Sequence, residues 1–255
     1  MDKFSRTLGF CIGVCLINKL SVIFLVFIAS FFLKNFNSYA YTLNFVGSLI
    51  SLMILNNLLS FYDDKLLSKD ILKKVEIKKI LYIVLFGVGF SICMSILVGI
   101  LTELISSYMN ATNQVESINN SWIDLLVIIV LGPVYEEILY RRVIFEYLKN
   151  NYNIVLAVIL QALVFGVAHG TLVQGIYTFI LGIPLALVYM YSKSLLGSIV
   201  LHIVFNLMGN ILPYLAAIGP IVEITLIISA IVCLILSTYK MTAKEKKIIL
   251  KNNRY

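Results

Sequence analysis

Charge is scarce in this chain: Lys, Arg, Asp and Glu make up 13% of its 255 residues, against 60% for the hydrophobic types. Too few polar side chains remain to cover a soluble globule, and there are far too many apolar ones for disorder. Histidine is scarcer still, with His169 and His202 the only two. The four cysteines, Cys11, Cys15, Cys93 and Cys233, are scattered through apolar runs. That scatter excludes zinc-finger or paired redox spacing and leaves them as buried hydrophobes. The chain therefore reads as an integral membrane protein.

Crossing the hydrocarbon core takes about 20 apolar residues as a helix. Eight runs qualify: 10–33, 41–61, 79–102, 122–141, 154–170, 172–191, 195–212 and 216–238. The expected fold is all-α, a polytopic membrane helical bundle of about eight transmembrane helices in one domain over 1–255. The first run is expected to be a retained span rather than a cleaved signal peptide. Within the domain, 1–121 forms a three-span N-terminal region, 122–212 carries the polar groups discussed below, and 213–255 is a last span with a basic tail.

Lys and Arg concentrate on the cytoplasmic side of membrane proteins. In an eight-span arrangement 18 of the 20 basic residues fall on one side; Lys19, inside the first span, and Lys34, at its far end, are the exceptions. Both termini are thus expected in the cytoplasm of a multi-pass, bacterial cell-membrane protein, and the Asn- and Ser-rich loop of 103–121 outside. Net charge is +7, but the basic residues flank spans rather than interleave with aromatics. They point to lipid headgroups and not to nucleic acid. The segment 63–79, with lysines among Leu66, Leu67, Ile71, Leu72, Val75 and Ile77, is expected to lie as an interfacial amphipathic helix.

Ionisable groups at bilayer depth mark functional sites, because hydrocarbon penalises each by roughly 2.5 kcal/mol or more unless it finds partners. Three apolar runs carry such groups. In Gly132-Pro133-Val134-Tyr135-Glu136-Glu137-Ile138-Leu139-Tyr140-Arg141, Glu137 and Arg141 are four apart on one helix face, where they can pair. Glu136 is turned about 100° away, free to face a cavity. Gly132-Pro133 predicts a local helix distortion. Phe165-Gly166-Val167-Ala168-His169 ends the fifth run, its small residues suited to close helix packing. His202 and Asn206 share a face of the seventh. Glu103, Asp124, Glu146 and Glu223 read as span-end or loop residues.

In that order, Glu136-Glu137-x-x-x-Arg141, Phe165-x-x-x-His169 and His202-x-x-x-Asn206 resemble the three motifs of the CAAX protease and bacteriocin-processing (CPBP) family, also called Abi or type II CAAX prenyl endopeptidases. The resemblance covers about residues 122–212. It implies an intramembrane glutamic endopeptidase acting on a membrane-associated peptide or protein. Glu136 would be the general base for water and His169 would share or orient that water. His202 and Asn206 would stabilise the oxyanion, while Glu137, Arg141 and Phe165 support the site. The family has also been described as metal-dependent, and Glu136, His169 and His202 are a plausible zinc set. They come singly from three helices, without His-Glu-x-x-His pairing, so metal-free catalysis with no cofactor is the expectation. A non-proteolytic bacteriocin-immunity or binding protein is the alternative. A proton-coupled transporter is a further one, against which stands the lack of a repeat of spans in two halves.

One difficulty attends this arrangement. With the fourth span ending at Arg141, Glu136 would lie near the cytoplasmic face and His169 some 20 Å deeper. Either the helix continues past Arg141 towards Lys149, which a buried Glu137–Arg141 pair would favour, or the fifth span is broken or tilted.

Overall fold

The computed structural model describes residues 2–34, 36–60, 72–109 and 122–252. All regular structure among them is helical, and each of the eight expected runs forms a helix. In chain order these are α1 (Lys3–Phe32), α2 (Ala40–Ser60), α3 (Ile77–Met109), a continuous helical run α4 over 122–151, α5 (Ile154–Ala168), α6 (Leu172–Ser192), α7 (Leu195–Ala216) and α8 (Pro220–Asn252). Among the described residues α1, α2, α3, α6, α7 and α8 are long and apolar enough to cross a membrane. The chain is an all-α polytopic membrane bundle.

Caps fix several ends. The Asp2 carboxylate accepts from the Ser5 backbone N–H at 2.7 Å, which starts α1; hydrogen bonding from the Ser5 side chain, and then from its backbone, holds that carboxyl below its ordinary pKa. Asn153 likewise caps α5 through Leu156. Ser194 caps α7 by accepting from the Leu196 N–H, while its own hydroxyl donates to the Lys73 carbonyl.

That last contact corrects one expectation. Of the segment 63–79, residues up to 71 lie outside the described residues; 72–76 is not helical, and α3 begins only at Ile77. The Lys73 carbonyl is taken by a serine side chain rather than by a helical N–H.

The helices group into two compact units. The first contains α1, α2, α4, α5 and α6 as far as Ala186. Here α1 lies against α2 at Gly47, where a Cβ would stand 2.7 Å from the Val22 Cα. Phe10 of α1 stacks on Tyr147 of α4 at 3.9 Å. The second unit contains α3, the end of α6, α7 and α8. Its α3 crosses α7 at Gly87, where a Cβ would meet the Val204 side chain at 2.8 Å. Ile92, Leu212 and Ala230 form its buried apolar cluster.

Candidate active site

The acidic motif lies in the middle of α4, on a stretch that departs twice from α-helical winding. Pro133 has no N–H to give and its ring crowds the preceding turn. The chain widens there into a π segment, Val127–Leu131, which the Gly132 N–H closes by bonding back to the Val127 carbonyl. Ordinary α winding resumes over Gly132–Glu137 and gives way to a second π segment, Ile138–Phe145. The distortion expected from Gly132-Pro133 is therefore present. Single wide turns of this kind concentrate at functional sites.

Helix α4 does not stop at Arg141; it runs on through Asn151. The expected span end at 141 is corrected accordingly, and Arg141 is no loop cation. Its guanidinium and the Glu137 carboxylate are both fully buried and pair at 3.0 Å. A partner one helical turn away offsets the desolvation that would otherwise keep such an arginine at the headgroups.

The longer helix also removes the depth conflict. Glu136 lies fifteen residues before Asn151, and His169 fifteen residues after Ile154. At 1.5 Å per residue both sit about 22 Å from the short turn that joins α4 to α5. Ring contacts report the same register: Tyr140 packs edge-on against Phe165 at 4.7 Å, and the Arg141 guanidinium lies 4.7 Å over that ring.

Phe165 is the hub of these contacts within the first unit. Fully buried, it carries Arg141 on one side and meets the His169 ring edge-to-face at 4.7 Å. Its carbonyl lies 2.7 Å from His169 Nδ1. A carbonyl can only accept, so Nδ1 carries the proton, and in the neutral ring Nε2 is left with its lone pair. The motif spacing Phe165-x-x-x-His169 thus orients the imidazole and fixes its tautomer.

Two residues outside the motifs complete the support. The Gln161 carboxamide, fully buried, donates to the carbonyls of Gly182 at 2.7 Å and Val158 at 3.0 Å. Arg141 reaches the same Gly182 carbonyl at 3.5 Å. Gly182 is where α6 touches α5: a Cβ there would stand 2.9 Å from the Ala162 Cα. A second close approach lies at Gly166, where a Cβ would stand 2.7 Å from the Gly175 carbonyl. One signal for Gln161 was available, since it precedes Phe165 and His169 by four and eight residues on one face of an otherwise apolar helix. Gly182 offered none, because what matters is its backbone.

Glu136 itself is half-buried. The Tyr135 hydroxyl lies 3.3 Å from Ser51 Oγ of α2. Of the residues read as span-end or loop groups, Glu103 and Glu223 are exposed and Glu146 pairs with Lys149 at 2.7 Å. Asp124 departs from that reading, being buried in the first turn of α4, where a carboxylate complements the helix dipole.

Glu136 and His169 belong to the first unit; His202 and Asn206 belong to the second. Within α7, His202 is buried and Asn206 half-buried one turn on. The Asn206 carbonyl accepts from the Asn210 carboxamide at 2.8 Å, and the neighbouring Phe205 packs on Phe90 of α3. Among the described residues of either unit, no three His, Cys, Asp or Glu side chains are grouped so as to hold a metal ion.

A membrane bundle with this acidic pair and these histidines finds its counterpart among known families. Residues 118–208, which contain all three motifs, match the family described as type II CAAX prenyl endopeptidase Rce1-like. Over 86 residues the chain is 28% identical to a Bacillus subtilis (strain 168) protein named Putative membrane peptidase YdiL. That alignment covers 33% of this chain and 35% of the other, so the chain spans about a third of the length of the relative it matches. No solved structure matches.

Proposed function

We propose that the protein is an intramembrane endopeptidase that hydrolyses a peptide bond of a membrane-associated peptide or protein, with Glu136 as its base. One observation carries the reading: two adjacent carboxylates have been given different environments. Glu137 is sealed and neutralised by Arg141. Glu136, one residue away, is only half-buried and stands level with an imidazole of fixed tautomer.

In this reading Glu136 takes a proton from water held by His169 Nε2. The hydroxide attacks the scissile carbonyl, and His202 and Asn206 donate to the oxyanion. When the tetrahedral intermediate collapses, the C–N bond breaks and the proton on Glu136 passes to the leaving amine. The Arg141–Phe165 stack, with Gln161 and the Gly182 carbonyl, holds Glu137 and His169 in place. No step is routed through a metal or other cofactor, and both chain termini face the cytoplasm.

The test is Glu136→Gln in the full-length protein. It should fold as the wild type, cleave nothing, and cause an uncut peptide to accumulate in cells that carry it. A pure binding or immunity protein would keep its phenotype. Wild-type cleavage by Glu136→Gln would overturn the assignment.

A further inference from the structure

Lys19 is not accounted for by the catalytic reading or by the charge asymmetry of the loops. It lies within α1, thirteen residues after Arg6 and fifteen before Lys34. At 1.5 Å per residue those separations are about 20 and 22 Å. Lys19 therefore stands near the middle of a hydrocarbon core of about 30 Å, beyond the reach of a four-carbon side chain to either headgroup layer. Its side chain is exposed, on a helix face shared with Leu8, Ile12, Leu16 and Ile23, all exposed as well. Among the described residues no ion pair involves it.

We propose that this face of α1 docks a membrane-spanning helix of another protein that carries an Asp or Glu near the bilayer midplane. Flanking aliphatic side chains supply the packing surface, and the ammonium supplies the selection. A charge held at this depth against lipid is unfavourable, and a carboxylate at the same depth is the partner that relieves both charges at once. A second copy of this chain fits poorly, since α1 against α1 would oppose two ammoniums. Its exposed carboxylates Glu103 and Glu223 lie near the ends of α3 and α8 and not at mid-depth.

The experiment uses full-length protein in zwitterionic lipid vesicles, labelled with an acceptor fluorophore. The probes are donor-labelled single-span polyleucine helices with Glu, Leu or Lys at the centre. The Glu helix should associate on the order of tenfold more tightly than the Leu helix, and the Lys helix more weakly than either. Lys19→Leu, which leaves α1 wholly apolar and able to insert, should abolish the preference; Lys19→Arg should keep it. Equal energy transfer from all three helices, or an undiminished preference in Lys19→Leu, would overturn the proposal.

Discussion

Replacing Arg141 by methionine removes the cation but leaves most of its volume, and so isolates the charge of Glu137. That carboxylate is fully buried and 3.0 Å from the guanidinium it would lose. Breaking a buried pair on one side costs about 3–5 kcal/mol, whereas replacing both charges by apolar groups is neutral or stabilising. The single variant should therefore unfold more readily by about two to nearly four orders of magnitude in the equilibrium constant. The double variant Glu137→Met with Arg141→Met should recover most of that loss. Lost packing of the guanidinium on Phe165, at 4.7 Å, removes up to about 2 kcal/mol from both. Titration with SDS in mixed micelles, followed by the fluorescence of Trp122 at the start of α4, measures each corner of the cycle. A single variant within about 1 kcal/mol of wild type, or a double variant no better than the worse single, would refute the buried pair as the element that holds the acidic motif.

Three further outcomes are expected. Gly166→Ala places a methyl against the Gly175 carbonyl and should destabilise by about 1–3 kcal/mol through overpacking, with the loss read in the same unfolding titration. His202→Ala and Asn206→Ala should stay folded with turnover reduced on the order of 10²-fold or more, and wild-type cleavage should survive exhaustive chelation. Stoichiometric zinc whose removal abolishes activity would instead make Glu136, His169 and His202 ligands. Cysteine at Asn113 should be labelled from outside the cell, and at Ser68 and Thr242 only after permeabilisation; of these positions 68 and 113 lie outside the described residues. External labelling at Ser68 would reverse the topology.

The apolar runs are legible because membrane length and hydropathy leave few alternatives, and each of the eight is a helix. The end of α4 is not. Read residue by residue, Arg141 looks like a cation at a headgroup, and only its burial with Glu137 shows that the helix continues. Pro133 announces the first π segment through its missing N–H. Nothing comparable announces the second, which lies among Ile138, Leu139 and Tyr140 and departs in hydrogen-bond pattern rather than in composition. Gln161 and Gly182 are hard to find for a related reason: a side-chain amide meets a backbone carbonyl of another helix, and residue types do not encode that contact. Asp124 misleads because a carboxylate near a helix start is as ordinary in water as in a buried first turn.

The second wide segment of α4 makes chain length at this point a matter of rotation. A π turn accommodates one residue more than the α turn it replaces, so Ile138–Phe145 acts as a built-in insertion, and the helix beyond it is turned by about 100°. Tyr147 stacks on Phe10 of α1, and Leu148 is fully buried, in that rotated frame. Deleting one residue between 142 and 145 would let the helix rewind as α without disturbing Glu136 or the Glu137–Arg141 pair. Tyr147 and Leu148 would keep their neighbours, because the residue removed is the one the wide turn absorbs; the same deletion from an α segment would swing both away. Homologues aligned through this stretch by residue count alone would be misread by one position from Glu146 onward.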